Sequence, residues 1–244
     1  AHNGILITDS RQSSTQDYGL AVDADGNALI AYRDDTSGVI QIGVQKVAPD
    51  GTFLWGPAGV VVTNVASTVF LANPKVAALS DGGVAVGWTQ GSGYGVQKLS
   101  SAGAPQWAAG GITAAPATGS YGMSDVQPGD NGSAIALWVR ATGGISAPRH
   151  LWTQKFASAD GAGLWNAGTP VILYDSSSVQ NGYFPSFLPD GAGGAVYGWY
   201  ENGGSRYAYV QRINAAGAEV YPHNGLTVSD TAGRSRLTPW LAFD

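Results

Sequence analysis

Of the 17 carboxylates in this 244-residue chain only two are Glu, Glu201 and Glu219. A glycosidase needs two carboxyl groups at a set separation. Most of the Asp residues (Asp25, Asp50, Asp81, Asp130, Asp160 and Asp190) fall in Gly- and Asn-rich hairpin turns, where a short acceptor side chain serves the backbone. That leaves Asp34, Asp35, Asp175, Asp230 and Glu201 as candidate acids. A polysaccharide lyase works differently, with a Tyr or His base and an Arg to neutralise charge. His150, Arg140, Arg206 and several Tyr would supply those groups, but such residue types are too common to form a motif. There is no Ser nucleophile elbow, phosphate-binding Gly loop or zinc spacing around the three His residues, His2, His150 and His223. The stretch "DADGN" (23–27) places oxygen ligands at alternate positions as calcium loops do, yet it lacks the downstream acidic ligand and reads better as a hairpin turn. No metal or other cofactor is expected.

Whatever chemistry exists must be positioned by a repeat. "VQKVAPDGTFLW" (44–55) returns as "VQKLSSAGAPQW" (96–107), "TQKFASADGAGLW" (153–165) and "VQRINAAGAEVY" (210–221), with cations at Lys46, Lys98, Lys155 and Arg212, 52, 57 and 57 residues apart. Each copy is preceded by an apolar segment ending near an aromatic: "NALIAYRD" (27–34), "GVAVGWTQ" (83–90), "SAIALWVR" (133–140) and "GAVYGWYE" (194–201). Small and apolar residues on both sides of the alternation predict strands covered on both faces. With a segment A before each and a segment D after each "QK" strand, every unit holds four antiparallel strands A to D. A period of about 50 residues with four strands is the signature of a β-propeller blade. The expected fold is therefore all-β, with four complete blades at about 17–63, 74–115, 124–173 and 185–229 in a single domain, 1–244.

The strand count is uneven. A surplus D, "AHNGILITD" (1–9), matches "YPHNGLTVSD", and a surplus A, "PWLAFD", ends the chain at 239–244. These read as parts of a fifth blade lacking strands B and C. The expectation is a segment of a longer propeller of at least five blades, and by preference six or seven, with pairing of half-blades between molecules as the alternative.

The run "DGGVAVGW" followed by "YGVQKLSSAGAPQWAAGG" resembles the tandem repeats of large secreted or surface-anchored bacterial proteins, across nearly the whole chain. That resemblance implies an extracellular propeller and brings no shared catalytic residues. Composition agrees: 12% charged residues, net charge -5 and no Cys. A weak acidic field does not attract a phosphate backbone, so nucleic acid is excluded as a partner. No apolar run approaches the ~20 residues needed to span a bilayer.

In such blades the D–A and B–C connections emerge together, and here they are long and rich in Ser, Asn, Gln and Tyr, which suits a glycan or protein ligand. Tyr18, Arg33, Asp34, Gln90, Tyr121, Arg140, Tyr183, Glu201 and Arg206 are the candidate binding residues on that face. The balance falls against an enzyme: the expected function is binding, adhesion or assembly. The alternative is a carbohydrate-active enzyme, lyase or glycoside hydrolase, using the same face.

Overall fold

The computed structural model describes residues 4–8, 18–35, 37–63, 65–66, 68–204, 206–229 and 239–242. His2, Asn3, Asp230 and the connection 9–17 lie outside the described residues. Four antiparallel sheets of four strands each follow the chain in order. The first blade holds β1 (Tyr18–Val22), β2 (Ala28–Asp34), β3 (Gln41–Val47) and β4 (Val60–Val61). The second holds β5 (Leu71–Ala78), β6 (Val84–Gln90), β7 (Gly93–Leu99) and β8 (Ile112–Ala114). The third holds β9 (Ser120–Pro128), β10 (Ala134–Ala141), β11 (Arg149–Phe156) and β12 (Val171–Tyr174). The fourth holds β13 (Phe187–Pro189), β14 (Ala195–Tyr200), β15 (Ala208–Ile213) and β16 (Leu226–Ser229). Strands A of successive blades touch one another, and the A–B turns of all four blades line one opening through Ala24, Ser80, Asn131 and Gly191. The fold is a β-propeller with strand A innermost.

Aromatic packing between the sheets explains the glycines opposite the strand B rings. Tyr32 pairs with Gly43 and Trp88 with Gly95. A Cβ on Gly43 would lie 2.5 Å from the Tyr32 ring, so the ring lies flat on the strand only because that atom is missing. Trp88 is fully buried in this way, and Trp138, Trp165 and Trp199 are fully buried against other neighbours.

The fourfold Gln and cation divide their labour. Gln97 stays inside its own blade: its Nε2 donates to Ala108 O (2.9 Å), and its Oε1 accepts from the N–H groups of Lys98 (2.9 Å) and Trp107 (3.2 Å). The cations meet the Asp of their own A–B turn, as Lys46–Asp23 (2.7 Å), Lys98–Asp81, Lys155–Asp130 and Arg212–Asp190 (2.8 Å). Two of them also cross to the next blade, where Lys98 Nζ donates to Gly132 O (3.1 Å) and Lys155 Nζ to Gly193 O (2.9 Å). Strand D completes each junction, because the indoles of Trp55, Trp107 and Trp165 donate to Ser101 O, Ser158 O and Ala215 O of the following blade, each at 3.1 Å. Asp23, the first residue of the calcium-like stretch, is filled by donors. Burial alone would raise its pKa, but bonds from Lys46 and Asn27 hold it at about 2.

Candidate active site

Strand pairing, rather than sequence proximity, assembles the site. In the third blade Arg140 on β10 lies opposite Tyr121 on β9 and opposite His150 on β11, so the three form one row at the end where the B–C and D–A connections gather. Directly opposed residues share a face of a sheet. One step inward, Trp138 is opposite Trp152. The Arg140 guanidinium stands 5.2 Å from the centre of the Trp152 ring, and the Tyr121 ring is 6.1 Å from it.

Two features separate this row from ordinary packing. The repeat puts Asp34, Gln90, Arg140 and Glu201 at one equivalent position, two residues past the strand B aromatic. In the second blade Gln90 accepts the Trp88 indole N–H at 3.0 Å. An arginine has no acceptor to offer, and the buried Trp138 Nε1 goes without a partner, as does Arg140 Nε. Among the described residues Arg140 forms no ion pair. Arg140 is thus a cation without a carboxylate at a position that supplies an indole acceptor in the second blade; the Trp199 indole of the fourth blade is unpartnered as well. Beside it, burial lowers the His150 pKa below its ordinary value, and the Arg140 charge adds to this against the opposing pull of Asp175. The imidazole is neutral near neutral pH and free to take a proton.

Tyr121 also lines a cavity of about 330 Å³ at the mouth of the inner strands, with Phe70, Asn73, Arg149, Tyr183 and Phe184. Asn73 is placed there by a bulge. The β5–β6 register shifts between Ala72 and Lys75, and Asn73 takes up the extra residue at φ 51°. It is only 6% exposed, and its Oδ1 has no hydrogen-bond partner. Arg149 is braced by the inserted loop 142–148, donating to Ala147 O (3.1 Å) and Ile145 O (2.9 Å). Tyr183 packs on Tyr200 with ring centres 4.2 Å apart.

The nine residues singled out from sequence separate into groups. Tyr121 and Arg140 are brought together, and Tyr183 joins Tyr121 at the cavity. Tyr18, Arg33 and Asp34 belong to the first blade and do not line the cavity; Gln90 is occupied by Trp88. Glu201 accepts from the Tyr174 hydroxyl at 3.0 Å, and Arg206 sits in the B–C loop of the fourth blade. Asn73, Arg149 and Phe184 were not among them. The bulge that aims Asn73 depends on the partner strand, and nothing in its local sequence announces it.

No family model matches the sequence, and no curated protein matches it. Solved structures do. A polysaccharide lyase, the PL25 ulvan lyase bound to -[GlcA(1-4)Rha3S]-, matches with TM-score 0.54 and 13% identity over 94% of this chain and 63% of its own. The polysaccharide lyase Uly1 matches with TM-score 0.51 and 10% identity over 88% of this chain and 50% of its own. An endo-arabinase from Bacteroides thetaiotaomicron VPI-5482 matches with TM-score 0.50 and 14% identity over 88% and 81%. The likeness is one of fold. This chain spans less than two thirds of the length of either lyase. The comparison corrects the expectation against an enzyme, since each of these structures is a carbohydrate-active enzyme. That expectation rested on the lack of paired carboxylates and of any motif among the Tyr, His and Arg residues.

Proposed function

We propose that this propeller is a carbohydrate-active enzyme that cleaves an acid-bearing polysaccharide by β-elimination at the Tyr121–Arg140–His150 row. The observation that carries the reading is the half-buried Arg140, which has no carboxylate partner among the described residues and lies opposite His150, whose pKa burial lowers. A uronate carboxylate bound to Arg140 loses charge, and the enolate that forms on proton removal is stabilised where it develops. His150 takes the C5 proton. The C4–O bond breaks as a C4=C5 double bond forms, and Tyr121 gives its proton to the departing glycosidic oxygen. The protons then return through solvent. The aromatic walls of the adjoining cavity and the open Oδ1 of Asn73 suit a neighbouring sugar ring with a hydroxyl to donate. A polymer substrate places the work outside the cell.

Incubation with uronate-containing polysaccharides, monitored in the ultraviolet for the conjugated product, tests this. His150→Ala and Arg140→Met are each expected to lower kcat/KM about 100-fold or more. The acid limb of the pH profile is expected to have its midpoint below 6.5, because the folded environment depresses the His150 pKa from that value. New reducing ends without ultraviolet absorbance would mean hydrolysis and overturn the elimination.

A further inference from the structure

Residues at both ends of the described chain hold strand places beyond the four blades. At the first two junctions the residue after the strand D glycine packs on the glycine of the next blade's C–D turn: a Cβ on Gly103 would lie 3.0 Å from Val60 Cγ2, and one on Gly161 2.6 Å from Ile112 Cγ1; at the third, Gly217 meets Trp165 instead. Ile5, which follows Gly4, meets Gly51 in the same way at 2.5 Å, so residues 4–8 hold the place of a strand D ahead of the first blade. On the other side a Cβ on Gly198 of β14 would lie 3.3 Å from Leu241, just as Val126 of β9 lies over Gly87 of β6. Residues 239–242 hold the place of a strand A after the fourth blade. No described residue occupies the B and C places between them.

The surfaces that strands B and C would cover are apolar and open. Leu226 and Val228 on β16 are exposed, and so are Leu6 and Trp240, the last at 85%. Leu226 follows Gly225 and is therefore the fourth copy of Val60 and Ile112, without a turn glycine to rest on. The cations agree: the side chains of Lys98 and Lys155, which reach a following blade, are 5% and 4% exposed, whereas that of Arg212 is 41% exposed.

We infer that this slot is a binding site for a β-hairpin of the repeat's own B–C kind: an apolar strand ending in an aromatic, a short loop, a strand carrying Gln and Lys, and a turn with glycine to receive Leu226. Continuity with the existing junctions sets these requirements, the first two of them supplying that of the turn glycine. Added strands would gain backbone hydrogen bonds from residues 239–242 on one edge and 4–8 on the other. A second copy of this chain does not meet them, because its own B and C strands are already paired on both edges.

The probe is a synthetic peptide of residues 83–103, the hairpin of the second blade, titrated into the intact chain by calorimetry, with thermal melting alongside. Saturable 1:1 binding is expected, with Tm raised by about 2–4 °C near saturation. Leu226→Glu, at an exposed site, is expected to keep the Tm of the free protein and lose peptide binding. A peptide with Gly103 replaced by Val is expected to bind at least ten-fold more weakly. Absence of saturable binding overturns the inference, and so does binding that survives both changes. Association of the protein with itself in the absence of peptide, abolished by Leu226→Glu, would assign the slot to a second copy instead and equally overturn it.

Discussion

At Gln97 one side chain settles three backbone groups, donating to Ala108 O while accepting from the N–H groups of Lys98 and Trp107. The Lys98 and Trp107 N–H groups are buried, and an unpaired buried donor costs about 1–3 kcal/mol, whereas Ala108 O also accepts from the Gly111 N–H. Gln97→Met keeps the volume and removes all three bonds, so it is expected to destabilise by about 3 kcal/mol in urea unfolding. Gln106→Met, exposed and bonded only to nearby carbonyls, is expected to stay within about 0.5 kcal/mol. The recurrence of Gln45, Gln97, Gln154 and Gln211 was legible in the sequence. Their direction was not: they look inward to their own strand D, and the crossing between blades is left to the neighbouring cations and the strand D indoles. The same holds at Arg140. Its place in the repeat could be read directly, but its opposition to His150 depends on how the loop 142–148 closes the hairpin, and the cost borne by Trp138 becomes visible only when the indole is seen without an acceptor.

Elements are held together here by what glycine leaves out. Strand B was readable to within about a residue, because it is covered on both faces and its alternation is continuous, whereas β3, β7 and β11 begin three or four residues ahead of the recurring motif. Strand D was read as longer than it is. β4 has two residues and β8 three, since strand D pairs along one edge only and its preceding glycines, Gly59 and Gly111, adopt positive φ. Its shape is set by the next blade. Gly87, in the middle of β6, shows the contact between blades most plainly: a Cβ there would run into Val126 Cγ2 and meet Met123 at 3.1 Å. Gly87→Ala is therefore expected to push β9 away from β6 and destabilise by about 1–3 kcal/mol, as overpacking does. Gly144, which has open space around it and no positive φ, is the matched control; Gly144→Ala should be neutral or slightly stabilising in the same denaturant titration.

Across the whole molecule the blades form a chain of neighbours, so its stability is close to a sum of blades and junctions. The junction of the third and fourth blades carries a histidine clasp. His223 in the fourth blade contacts Asp175 of the third through Nε2 (3.1 Å) and Glu219 through Nδ1 (3.0 Å), while Asn224 Oδ1 accepts from the N–H groups of Asp175 and Ser176. Partial burial works against a charged imidazole, but the bonds and charges of Glu219 and Asp175 outweigh it and raise the His223 pKa above 6.5. A raised pKa in the folded state means that the folded form binds the proton more tightly than the unfolded form. The clasp therefore adds its full stability below about pH 6.5, the unfolded value, and loses it as pH rises through the folded value. Hydrogen exchange, expressed as protection factors to remove the intrinsic effect of pH, is expected to show β13–β16 less protected at high pH than at pH 6, while β5–β7 of the second blade stay unchanged. His223→Gln, which cannot titrate, should remove that difference. Equal loss of protection in all four blades would instead mean that the propeller responds to pH as one unit and that the clasp carries no separate share.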